Sequence, residues 1–193
     1  GGVNGGRSVS VDSGYAPDHS TLPRHHEKRL RANCVEGNGK GSAVDVTEGF
    51  FTNLGHGTGT LSSLAGNTCG GEDLGGAPNA SIVPVRVANS VVLFSNSSIA
   101  RAMDYVYGLC QDEKTRIHVI TMSMGGLASQ AWAEAVNKLY DAGVFVVTAA
   151  GNNFGNTPTR YLVYPSRFKR VVAACGVMED GTAYADLPIN KMA

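Results

Sequence analysis

Residues 117–148 read IHVITMSMGGLASQAWAEAVNKLYDAGVFVVT, and the fold follows from this stretch. Ile117 to Met122 is rich in β-branched residues and suits a buried strand. Farther on, Trp132, Ala135, Val136, Leu139 and Tyr140 recur at helical spacing and mark one face of a helix. Gly143 can end that helix in a left-handed conformation. Val144-Phe145-Val146-Val147-Thr148 is then a second strand. A strand, a helix and a strand joined so closely form a right-handed βαβ unit with parallel strands.

The same alternation extends outward. Ile82 to Val87 reads as a strand, in which Pro84 predicts one incompletely paired edge. A helix follows, capped by Asn96 or Ser97, with Ile99, Ala102, Met103, Val106 and Cys110 on its apolar face. Val171 to Ala174 is a further strand. Near the start, Ser8 to Val11 makes a short strand running into Asp12-Ser13-Gly14, whereas Asp18 to Gly49 is polar loop with at most one strand. The expected fold class is α/β, a mostly parallel β-sheet flanked by helices. No internal repeat divides the chain, and residues 1–193 read as one domain.

Composition narrows the function classes. Sixteen basic residues balance sixteen acidic ones, which argues against nucleic acid or an anionic membrane as partner. No apolar run is long enough to span a bilayer. The Gly-rich segment Gly37-Asn38-Gly39-Lys40-Gly41 fails as a phosphate loop, because Gly41 stands where Ser or Thr must follow the lysine. Cys34, Cys69, Cys110 and Cys175 form no CxxC pair, which speaks against zinc and leaves free thiols and disulfides both open.

Ligands and catalytic groups of open parallel sheets gather at the carboxyl ends of the strands. Asp12, Ser123 and Asn152 all follow strands, and His56 lies between Gly55 and Gly57 just before a helix expected over Thr58 to Ala65. Each has an ordinary explanation when taken singly: a turn former, a helix cap, a surface histidine. As an ordered set they say more. Asp12-Ser13-Gly14, His56-Gly57-Thr58, Ser123-Met124-Gly125-Gly126 and Ala149-Ala150-Gly151-Asn152 resemble the motif series of the subtilisin-like (S8) serine peptidases. Gly76-Ala77-Pro78-Asn79-Ala80 and Tyr164-Pro165-Ser166 fit the same series, so the likeness runs from about Ser8 to Val177.

The resemblance implies a serine-type endopeptidase. His56 would be the general base, Asp12 its orienting carboxylate and Asn152 the side-chain donor to the oxyanion. Ser123, Met124 and Gly125 would pair with an extended polypeptide substrate by strand addition, with Gly125 and Gly126 leaving room for a side chain. Gly59 stands where the family often has a second histidine, a position without a catalytic role. No cofactor is required and no metal ligand set is implied; structural calcium is left open and is not signalled by this sequence. Four cysteines and the resemblance lean towards secretion.

The nucleophile is the exception. Nothing between Gly155 and Ala193 matches the family's Gly-Thr-Ser helix, and Ser166 belongs to the structural Tyr-Pro-Ser segment. The expectation is therefore a domain truncated before the catalytic serine, inactive alone, its sheet incompletely covered unless a second chain supplies the remainder. The alternative is a dead pseudoprotease, a peptide-binding module that keeps the groove. Ser123 as the nucleophile of an α/β-hydrolase elbow is disfavoured, because all five histidines precede it whereas that order needs one after it.

Overall fold

The computed structural model describes residues 6–36, 39, 41–46, 52–93, 97–152 and 163–182. Asn96, one of the two expected caps, and most of the segment from Gly155 onward towards Val163 lie outside them. So do Gly37, Asn38 and Lys40. Among the described residues, ten strands and three helices follow in chain order. Six strands form the central sheet: β1 (Arg7–Asp12), β2 (Ala32–Asn33), β5 (Ser81–Arg86), β7 (Val119–Met122), β9 (Phe145–Ala149) and β10 (Val172–Ala174). Their spatial order is β10-β9-β7-β1-β5-β2, and every pairing is parallel. The α/β class read from the sequence is the observed one.

The expected strands are present, shifted at their ends by one or two residues. Pro84 is explained by its position. Ile82 donates to His25 and accepts from Glu27 on the outer side of β5, and Arg86 accepts from Cys34 there. Pro84 falls between these bonds, where β2 has no partner for it and the missing N–H costs nothing.

Strand alternation sorts the side chains onto two faces. Val9, Val11, Ile120, Met122 and Val146 point into one core with α2 (Ser97–Leu109) and α3 (Gln130–Asp141), which supply Ile99, Met103, Val106, Trp132, Val136 and Leu139. Ser129 caps α3 by accepting the Trp132 N–H, and Gly143 takes φ 82° just beyond it. Tyr140 departs from expectation: it is 51% exposed, and Arg170 rests on its ring.

The opposite face is covered unevenly. Helix α1 (His56–Ala65) lies over β1 and β5, packing Leu61 and Ala65 with Tyr15, Leu22, Ala43 and Ile82. No described element covers the same face across β7, β9 and β10. Phe145 and Val172 are about half exposed there, and Ala149 and Ala174 are exposed as well. Among the described residues, one side of the sheet is thus closed by two helices and the other only half closed by one.

Candidate active site

Parallel strands bring their carboxyl ends to one edge, and the register aligns the candidate residues along it. Val11 pairs with Met122, so Ser123 continues β7 level with Asp12, the last residue of β1. Met122 in turn pairs with Thr148. Asn152 is exposed beyond the end of β9, after Gly151 at φ 93°.

Helix α1 starts at His56, two residues earlier than the sequence suggested. Gly55 at the N-cap is left-handed (φ 75°), and its N–H donates to Asp45 Oδ2 at 2.8 Å. The backbone is therefore already helical at His56, which fixes the ring on the first turn rather than in a preceding loop. Gly57 has a separate cause: a methyl group there would overlap the Gly14 carbonyl oxygen. The Asp12-Ser13-Gly14 turn and the His56-Gly57-Thr58 turn pack backbone to backbone. Gly57 N–H donates to Ser13 Oγ at 3.3 Å, and Ala16 N–H donates to Thr58 Oγ1 at 2.9 Å. The small and hydroxyl residues of both motifs thus clamp the start of α1 onto the end of β1.

This clamp brings Asp12 and His56 together. Asp12 is 3% exposed, and its Oδ1 accepts from Ser13 N–H at 2.7 Å and from His56 Nδ1 at 2.7 Å. Its Oδ2 accepts from Thr60 Oγ1 at 2.9 Å. A carboxylate only accepts, so Nδ1 carries the proton and Nε2 is the basic nitrogen. His56 titrates above the ordinary imidazole value, chiefly because of its hydrogen bond to Asp12. Partial burial opposes the shift, and the charges of Asp12 and Asp45 add to it.

His56 opens on a cleft of ≈ 520 Å³ between α1 and the sheet, lined also by Thr60, Ser63, Leu64, Thr121 and Ser123. His56 and Ser123 thus share one cavity, at the border where the described elements leave the sheet uncovered. Ser166 is turned elsewhere and donates to the Val163 carbonyl at 2.9 Å.

The expected substrate segment has a different setting. Met124 is buried in the core, so only its backbone is available to a ligand. Gly125–Gly126 forms β8, paired in parallel with β6 (Val92–Leu93) and bridged to Tyr164 on the other side. Gly125 N–H donates to Val91 at 3.1 Å. A side chain at Gly125 would press on Val163, and one at Gly126 would meet the Leu93 carbonyl. The space that these glycines were expected to leave open is taken up by packing, because both edges of this two-residue strand are in use. Thr60 and the β6–β8 pair were not singled out from the sequence. The only signal for Thr60 is its spacing of one helical turn from His56.

No group of three or more metal-ligating side chains occurs among the described residues. All four cysteines are free, Cys34 and Cys110 buried and Cys69 and Cys175 exposed. Burial pushes the Cys34 thiol up to about 11, with Arg101 opposing, so it is held as an inert thiol.

Comparison with known proteins bears on the fold and the family. The profile of the subtilase family, the S8 peptidases, matches residues 6–186. A thermostable alkaline protease of Halalkalibacterium halodurans is 30% identical over 182 residues, covering 92% of this chain and 43% of that protein. Subtilisin DY of Bacillus licheniformis is 35% identical over 172 residues, covering 86% of this chain and 54% of that protein. An extracellular serine proteinase of a Thermus species is 41% identical over 99 residues, 51% of this chain and 22% of that protein. Among solved structures, the S41 psychrophilic protease superposes with a TM-score of 0.72 at 25% identity, over 96% of this chain and 59% of that one. The chain spans about half the length of the first two curated relatives. The family profile over nearly the whole chain, together with these relatives, shows that the chain belongs to the subtilase family of serine peptidases.

Proposed function

We propose that this chain carries the acid–base part of a serine endopeptidase, with Asp12 and His56 as two members of the triad and Asn152 as oxyanion donor. The observation that supports this most strongly is the 2.7 Å bond between His56 Nδ1 and the buried carboxylate of Asp12. It fixes the tautomer that can take a proton from a serine hydroxyl through Nε2 and return it to the leaving amine. Asp12 would stabilise the imidazolium formed in between. Asn152 would donate to the negative oxygen of the tetrahedral intermediate.

The nucleophile in this reading is a serine C-terminal to residue 193, on a segment that packs against the uncovered face beside His56. The half-exposed Phe145 and Val172 and the cleft at α1 support that placement. The substrate is a polypeptide bound in extended form at Ser123, Met124 and Gly125. Strand addition there requires the Val91 carbonyl to give up the Gly125 N–H. Secretion is supported by the extracellular Thermus relative rather than by a disulfide framework. No helix among the described residues is long and apolar enough to cross a membrane.

Labelling with a serine-directed phosphonate, mapped by mass spectrometry, tests the assignment. The 193-residue chain alone should take no label. Modification of Ser123 or Ser166 would overturn the placement of the nucleophile.

A further inference from the structure

The two oxygens of the buried Asp12 carboxylate are held differently. Oδ1 has two donors, Ser13 N–H and His56 Nδ1, each at 2.7 Å. Oδ2 has Thr60 Oγ1 at 2.9 Å as its donor among the described residues. Thr60 lies four residues after His56, so the helical period puts both on the face of α1 that meets the end of β1. Its hydroxyl has a single proton and two acceptors, Asp12 Oδ2 at 2.9 Å and the Gly57 carbonyl at 3.1 Å. A hydrogen bond to an ionised oxygen is about twice as strong as one to a neutral oxygen, so the proton goes to Asp12 while Asp12 is charged.

We infer that Thr60 is a positioning residue for the acid–base pair: its hydroxyl holds the second oxygen of Asp12 and so sets how strongly the carboxylate draws on His56. The inference rests on the reading of Asp12 and His56 as that pair. The positive end of the Thr60 O–H dipole offsets part of the carboxylate charge and leaves less of it to stabilise the imidazolium. Ser13 N–H keeps Oδ1 in place without help from Thr60. Removing the hydroxyl therefore changes the charge seen by His56 more than the direction in which the carboxylate points. Without Thr60 the base would remain protonated to higher pH, and less of it would be competent to accept a proton.

The test is an NMR titration of His56 in the ¹⁵N-histidine-labelled 193-residue chain, comparing wild type with T60V, T60S and D12N. The expected result is an upward shift of the His56 midpoint in T60V, with the downfield Nδ1 proton retained, and a wild-type midpoint in T60S. T60A replaces T60V if valine disturbs folding, and the same upward shift is expected. A midpoint that stays put or falls in the hydroxyl-free variant overturns the inference, as does a T60S shift equal to that of T60V. D12N separates the two levels: it should lower the midpoint, and an unchanged midpoint in D12N means that the Asp12–His56 pair itself has been misread.

Discussion

Substituting Gly57 by alanine sets two effects of opposite sign against each other. On helix propensity alone, alanine is better than glycine inside α1 by about 0.8–1.0 kcal/mol. The methyl group, however, would overlap the Gly14 carbonyl oxygen, and backbone atoms stand on both sides of that contact. Carbon–oxygen contacts settle near about 3.3–3.6 Å, so the two turns must separate by roughly an ångström or more. Overpacking of this kind costs about 1–3 kcal/mol, and a contact between two backbones belongs in the upper part of that range. The net effect is a loss of about 1–2 kcal/mol, or roughly 2–8 °C in Tm for a chain of this length. The same separation stretches the 2.7 Å Asp12–His56 bond, so the His56 titration should fall back towards its ordinary value. Gly59, two residues farther along the same helix, has nothing within 4 Å of its would-be methyl. Gly59→Ala should therefore stabilise the chain through propensity by up to about 1 kcal/mol, and raise Tm accordingly. Thermal melting and histidine NMR on both variants decide the matter. If Gly57→Ala is as stabilising as Gly59→Ala, or leaves the Nδ1 proton of His56 unchanged, the backbone clamp is refuted.

Two further outcomes follow from charge and from packing. His56 titrates above its unfolded value, so its contribution to stability is fully present below about pH 6.5, the unbound imidazole value, and is lost as pH rises through the folded midpoint. Melting temperatures of wild type relative to His56→Gln should converge across that interval, and Asp45→Asn, which removes one of the charges favouring the imidazolium, should move the convergence to lower pH. On the uncovered face, Phe145→Ser and Val172→Thr should each change stability by only about 0.5 kcal/mol, whereas Leu139→Ala on the covered side should cost about 2–5 kcal/mol. Sedimentation should show the wild-type chain self-associating and the two surface variants less so. A monomeric wild type at the same concentrations would count against an exposed packing face.

The parts of the fold that could be read from sequence are those with enough residues to show a period. β1, β5 and β7 with α2 and α3 each place several apolar side chains on one side, and most of those side chains are buried where the pattern put them. Burial misled at Tyr140, because periodicity says which face is apolar and not whether anything lies on it. The pair of β6 and β8 and the hairpin of β3 (Thr68–Cys69) and β4 (Glu72–Asp73) are two-residue strands, too short to carry a pattern. At the site, Asp12 and His56 were legible from the ordered motif series rather than singly, and the glycines of Asp12-Ser13-Gly14 and His56-Gly57-Thr58 serve the close approach of two backbones. Thr60 was not, because a threonine inside a helix is ordinary, and only the arrival of Asp12 from 48 residues upstream gives its hydroxyl a task.

The most direct test of the central claim is hydrolysis of an unfolded polypeptide by the full-length product that contains this chain, measured alongside its His56→Ala and Asn152→Ala forms. The account predicts cleavage by the parent and a fall to background with His56→Ala. Asn152→Ala should lose about 10²–10³ in kcat, the size of effect known for one oxyanion donor in subtilisin. Undiminished cleavage in the His56→Ala form would contradict it, and a parent that binds the polypeptide without cutting it would make the chain part of a peptide-binding relative instead.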